Sequence, residues 1–192
     1  MSESPAVTKI PDYVVGTWDV DTVHSEVTFV VRHMVVSKVR GRFDKFEATI
    51  ITAEDPLQSS VEATIDASSI NTVQEQRDTH VRSADFLDVE NFPSITFQSR
   101  AVRPAADHFL VDGDLTIRGV TKPVTLKVEG NGFGPDPFGG TRAGFSAEAE
   151  IDRTDFGVSY NGPIPGADNA VVLSEKVALH IEIEAVLRKD PA

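Results

Sequence analysis

Residues 71–99 read NTVQEQRDTHVRSADFLDVENFPSITFQS, and this stretch departs from the pattern on both sides of it. Thr72-Val73-Gln74-Glu75 has the form of a capping box, in which a Thr hydroxyl and a Glu carboxylate three residues on satisfy free backbone N–H groups. Helix formers continue to about Ala84, Asp85-Phe86-Leu87-Asp88 reads as an irregular turn, and Phe92-Pro93 ends any helix because the residue before proline is pushed out of the α region. Ile95 and Phe97 then alternate with Thr96 and Gln98, the period of a strand. The expectation is a short helical insertion near residues 72–88 that covers the end or flank of a β structure.

Outward from this stretch the chain reads as antiparallel strand. Val14 to Asp19 forms a first strand anchored by Trp18; Val27, Phe29 and Val31 alternate with Glu26, Thr28 and Arg32. Gly41-Arg42-Phe43 opens a strand running to about Thr52, and Val61, Ala63 and Ile65 form another. His108–Arg118 and Pro123–Glu129 make a hairpin whose connection, Gly119-Val120-Thr121, is longer than the tightest turns. Residues 130–142 and 160–169 read as loops by their glycine and proline content. Ala143 to Ile151 and Val177 to Ala185 complete the set. About eight mostly one-faced strands in up-and-down order predict an all-β, elongated antiparallel barrel. A barrel of about that size is filled by side chains or holds one ligand. Residues 1–12 read as a flexible lead-in and 13–190 as a single domain.

The 192 residues carry a net charge of −12, which argues against nucleic acid as a partner and against charge-driven binding to an anionic membrane. Cysteine is absent, so disulfides and thiolate chemistry are excluded. No stretch is apolar enough for a membrane span, and the first residues lack the basic start and apolar run of a secretion signal. The expected location is therefore cytoplasmic. A homodimer stays open, since an exposed strand or apolar face can self-pair.

Few residue sets carry chemistry. His24-Ser25 cannot be a base–nucleophile dyad in a regular strand, where neighbours face opposite ways. His24 and His33 are an odd number of residues apart and cannot share a metal without a bulge. His180, Glu182 and Glu184 share one face, opposite the apolar row, and read as a solvated surface. Gly130, Gly132 and Gly134 precede prolines rather than the helix a phosphate loop needs. No metal, cofactor or catalytic set is assigned. The strongest polar cluster is Arg77, Asp78, His80, Arg82 and Asp85. It reads either as a helix face with an Asp78–Arg82 pair or as a polar gate whose Arg77, Asp78, His80 and Arg82 meet a ligand head group. Arg118 and Lys122 read as solvated turn charges.

The blocks Trp18-Asp19-Val20-Asp21-x-x-His24-Ser25-x-Val27-x-Phe29, Gly41-x-Phe43, Ser69 through Phe97, Gly113 through Pro123 and Arg153-x-Asp155-Phe156-Gly157 together resemble the YceI-like family of polyisoprenoid-binding proteins. The resemblance covers about Trp18 to Leu187. It implies a lipocalin-like barrel with a deep apolar cavity, binding of a long-chain isoprenoid, quinone tail or similar lipid, and no established catalysis. Many members carry a secretion leader, which the first residues here do not show. The cavity would be lined by Phe29, Val31, Ile65, Phe97, Leu115, Ile117, Leu126, Phe145 and Ile181. Two alternatives stand beside a lipid binder or carrier. One is an enzyme on such a lipid, with His80 and Asp78 or Asp85 as acid and base. The other is an interaction protein with a filled barrel.

Overall fold

The structure, a computed structural model, describes residues 10–162 and 172–189; most of the expected lead-in and of the 160–169 loop lies outside them. The strands are β1 Gly16–Val20, β2 Glu26–His33, β3 Ser37–Phe43, β4 Phe46–Thr52, β5 Ser60–Asp66, β6 Ile70–Asn71, β7 Ser94–Pro104, β8 Phe109–Ile117, β9 Val120–Pro135, β10 Thr141–Asp152 and β11 Leu173–Leu187, with one helix, α1, Glu75–Arg82. Around the ring, β1, β4, β5, β7, β8, β9, β10 and β11 pair in turn, and β11 pairs back onto β1. The result is a closed, eight-stranded antiparallel lipocalin-like barrel. The 16 residues of β9, at about 3.3 Å each, make it long. No helix among the described residues is long and apolar enough to cross a membrane.

Strand pairing explains how so long a wall is built. Both β1 and β2 run antiparallel to β11, β1 against residues 185–187 and β2 against 173–182. They are successive lengths of one interrupted strand, broken at residues 21–25. β3 and β4 repeat the arrangement on the next position, pairing with β2 and β1 respectively. Gly41-Arg42-Phe43 therefore closes a strand rather than opening one. The turn that precedes β3 is Met34-Val35-Val36, with φ of 50° at Met34 and 64° at Val35. No glycine, asparagine or proline marks it, so composition gave no turn signal. Gly41 sits opposite Phe29, and a Cβ there would collide with the Phe29 ring.

Two other expectations change. The β8–β9 connection is a two-residue turn, because Ile117 pairs directly with Val120. Arg118 and Gly119 both have positive φ, 49° and 71°, as a type I′ turn requires. The glycine-rich run 130–135 is strand, not loop, and only residues 136–140 turn the chain. A bulge at Gly144/Phe145 shifts the β9–β10 register. It lets Leu126, Val128 and Gly130 face inward on one side of the bulge and Phe133 pack inward on the other, edge-on to Trp18 at 5.4 Å.

Two clusters hold the ends. Trp18 and Ala185 are fully buried with Ala143, against Ile50, Phe133, Phe145 and Ile183; the Trp18 Nε1–H donates to Thr52 Oγ1 at 2.8 Å. At the other end Phe86, Leu87, Ile95, Phe156 and Val158 pack beneath the 72–93 insertion. There β3 has β2 on one edge and only the two residues of β6 on the other, and the insertion leaves from that gap.

Candidate functional site: an apolar cavity with a polar rim

Between the two clusters the barrel is hollow. The inward rows of the strands enclose a cavity of about 800 Å³. Phe29, Val31, Ile65, Phe97, Leu115, Ile117, Leu126, Phe145 and Ile181 all stand on its wall. Small residues keep it open: Ala48 and Ala63, which face each other across β4 and β5, and Ala147 on β10 also line it. Ile10 and Tyr13 line its far end, so the last residues of the predicted lead-in belong to the site.

The insertion forms one side of the rim, and its local chemistry differs from the predicted capping box. Gln74 is the cap, its Oε1 accepting from the Arg77 N–H. Thr72 is turned to other work. Its N–H and hydroxyl both donate to the buried Asp78 carboxylate, at 2.9 and 2.5 Å. The same hydroxyl accepts from Arg77 Nε at 2.7 Å, and Arg77 Nη2 reaches the Thr72 carbonyl. Asp78 therefore pairs with Thr72 and not with Arg82. Arg82 donates to the carbonyls of Ser68 and Ile70 at 2.9 and 3.0 Å, tying α1 to β6. Of the four predicted head-group residues, Arg77 and His80 line the cavity, while Asp78 and Arg82 border a separate polar cleft. Arg118 is a strut rather than a solvated charge, donating to the Phe86 carbonyl at 2.6 Å.

His80, Phe86 and Tyr160 form a triangle with ring centroids 5.1 Å apart on every side. His80 Nε2 meets Asp85 Oδ2 at 2.7 Å, which fixes the ring edge-on to its neighbours. Among the described residues no hydroxyl or amine is bonded to this imidazole. The pair orients an aromatic rim, and Asp78 is not within it.

Sequence reasoning missed Arg153. It is buried, lines the apolar cavity and forms no ion pair among the described residues. Its guanidinium donates to the carbonyls of Val158, Tyr160 and Ser174 at 2.6, 3.0 and 2.9 Å, and more weakly to that of Leu173. Burial pushes its pKa down, partly opposed by Glu175 and Asp152, yet arginine keeps its charge. A lone arginine at a strand end carries no sequence signal of burial; the block Arg153-x-Asp155-Phe156-Gly157 was the only pointer.

The remaining polar sets are satisfied without a ligand. Ser25 bonds the Glu184 backbone in both directions, whereas His24 Nδ1 turns to Asp21 at 2.8 Å. Asp21, His24 and Glu184 come close enough to hold a metal, but Arg142 Nη1 already supplies the cation, 2.7 Å from Asp21 and 2.6 Å from Glu184. Arg142, and then His24, hold the Asp21 carboxyl well below the usual carboxylate range. His180 and Glu182 turn to other outer-face partners, Glu148 and Ser146, so His180, Glu182 and Glu184 do not converge.

The comparisons agree with this architecture. The profile of the YceI-like domain matches residues 18–185. Protein YceI of Salmonella newport strain SL254 is 40% identical over 168 residues, 86% of this chain and 83% of that protein; the Salmonella arizonae protein gives the same figures. Burkholderia cenocepacia BcnA superposes with a TM-score of 0.74 at 26% identity, over 86% of this chain and 98% of its own. A polyisoprenoid binding domain from Saccharophagus degradans shares the fold, with a TM-score of 0.63 at 16% identity over 91% of this chain and 100% of its own. With the profile running from the buried Trp18 to the buried Ala185, the chain belongs to the YceI-like family.

Proposed function

We propose that the protein binds a long-chain lipid, of the polyisoprenoid or quinone-tail kind, and sequesters or carries it in the barrel. The observation that carries this reading is the continuous apolar cavity of about 800 Å³, towards the top of the roughly 300–1,000 Å³ range of ligand pockets. The shared fold with the polyisoprenoid binding domain from Saccharophagus degradans supports the ligand class. The apolar chain lies along the wall formed by Phe29, Val31, Ile65, Phe97, Leu115, Ile117, Leu126, Phe145 and Ile181. Each Å² of apolar surface removed from water contributes roughly 25 cal/mol, before association costs. The head group faces the rim, within reach of Arg77 and His80. Asp78 and Arg82 act indirectly, by pinning the helix that carries those two.

Organic extraction of the purified protein followed by mass spectrometry tests the reading. A polyprenyl or other long-chain lipid is expected in the extract, and delipidated protein is expected to take up an added polyprenyl alcohol saturably. Recovery of no lipid, together with no uptake, would overturn it.

A further inference from the structure

The β2–β3 hairpin differs from the rest of the surface in two ways. Apart from the exposed Glu26, which opens β2 at the end away from the turn, the hairpin includes Arg32, Lys38, Arg40 and Arg42 and no Asp or Glu, on a chain of net charge −12. Arg42 is paired with Asp44 at 2.6 Å. The other three are exposed, alternate with the inward row of Val31, His33 and Val39, and have no ion pair or side-chain hydrogen bond among the described residues. Arg32 and Lys38 face each other across the ladder. Beyond them the turn projects Met34, Val35 and Val36 into solvent, 41%, 76% and 87% exposed. A β-branched residue at φ 64° is a conformational outlier, so Val35 is held out at this tip against its own backbone preference. The adjoining β11 adds Glu175 within its bulge and Lys176, which is itself paired with Asp152.

The position of this hairpin matters as much as its composition. His33 and Ser37, which flank the turn, line the cavity, and the Met34 N–H donates to the Val172 carbonyl at 2.8 Å. Tyr160 and Asn161 complete that side of the rim. An apolar tip with three unpaired cations behind it thus stands at the edge of an apolar cavity. The geometry points to this hairpin as the surface by which the protein docks on an anionic lipid bilayer, with Val35 and Val36 entering the leaflet and Arg32, Lys38 and Arg40 at the phosphates. A projecting apolar turn backed by unpaired cations matches a leaflet surface, apolar within and anionic at the headgroups. Docking would bring the cavity mouth to the membrane, where a chain could pass without crossing water. Net charge argued against an anionic surface, but screening over a Debye length of about 10 Å makes the local patch decisive.

Sedimentation with phosphatidylcholine vesicles, with and without phosphatidylglycerol, tests the docking. The full chain is expected to partition onto the phosphatidylglycerol vesicles and to be released by salt. Each basic residue beside an anionic leaflet contributes about fivefold, so Arg32→Glu/Lys38→Glu/Arg40→Glu is expected to lose over a hundredfold. Val35→Asp/Val36→Asp should also abolish partition. Val35→Gly, which relieves the backbone, keeps a variant available that folds, and should weaken partition. Uptake of a fluorescent apolar probe should be unchanged in all three, which separates failure of docking from failure of the lipid-binding reading. Equal partition onto both vesicle types, or indifference to both sets of substitutions, would overturn the inference. So would a wild-type dimer in sedimentation velocity that the same substitutions dissociate, since the hairpin would then be an interface between copies.

Discussion

The β1 end of the barrel and its middle are made by the same strands and are built to opposite rules. At the β1 end, inward positions hold Trp18, Ile50, Phe133 and Phe145, and the rings meet edge to face, Phe133 lying 5.4 Å from Trp18 and 5.9 Å from Phe145. Along the middle and toward α1, the same inward parity holds Ala48, Ala63 and Ala147, and the space they leave is cavity. Alternation sets which way a side chain points; volume decides whether the interior closes. The packed end is therefore expected to carry stability and the hollow middle affinity, and substitutions should separate the two.

The largest effect is expected at the packed end. Trp18→Ala removes a fully buried indole and should cost about 3–5 kcal/mol, read as a lower urea midpoint. Probe uptake by the folded fraction should barely change. A loss of uptake without a loss of stability would break the division between the packed end and the cavity.

Arg153 comes next, and it lines the hollow part of the barrel, so it sharpens the comparison. Its role is to hold the carbonyls of Val158, Tyr160, Leu173 and Ser174 around one guanidinium. Arg153→Met removes the donor that these acceptors share, although the Leu173 carbonyl keeps Asn161 Nδ2 at 2.8 Å, and should cost about 2–3 kcal/mol. Arg153→Lys should recover little, because a single ammonium cannot serve a planar fork. Denaturant unfolding measures both. If lysine restored full stability, charge rather than geometry would be the cause.

The hollow wall should show the reverse pattern from Trp18. Ile181→Ala enlarges space that is already open, so the cavity penalty of a packed core is largely missing and the cost falls to about 1 kcal/mol. Ala147→Phe fills the cavity from the neighbouring strand β10, where Ala147 pairs with Ile181. It should change stability by less than the roughly 1–3 kcal/mol of overpacking in a tight core, yet abolish probe and lipid uptake, as fluorescence titration would show. Unimpaired uptake in Ala147→Phe would place the ligand elsewhere.

These contrasts also mark what could be read from the residues alone. The barrel followed from period-2 alternation, and all nine predicted wall positions line the cavity because strand parity survives translation into three dimensions. Residues 130–135 read as loop because of their glycine and proline content, and parity could not place Phe133 because it fails at bulges: the shift at Gly144/Phe145 depends on pairing between strands that sequence does not display. The Met34-Val35-Val36 turn was missed because its residues are poor turn formers, and the β2–β3 surface was missed with it. In the insertion, Thr72 matched a capping pattern, but a buried carboxylate six residues on competed for the same hydroxyl and won. Whether the barrel was hollow could not be read at all, since a lined wall and a packed core alternate alike.

The smallest expected effect tests the outer clamp of the packed end. Asp21 lies just beyond β1, held by Arg142, whose neighbour Ala143 is part of the Trp18 cluster. Its pKa is depressed, chiefly by Arg142 and then by His24. A depressed carboxyl stabilises the fold fully above its unfolded value of about 3.9, and the contribution is lost as pH falls through the lower folded value. Asp21→Asn should thus cost under about 1 kcal/mol at neutral pH, since the cluster is partly exposed and screened. The gap from wild type should narrow progressively below about pH 4. Denaturant midpoints across pH measure this. A gap that stayed constant down to strongly acidic pH would mean that the carboxylate charge is not what Arg142 reads. A change in probe uptake would mean that the packed end and the cavity are mechanically coupled, and that the packed end does more than hold the wall in place.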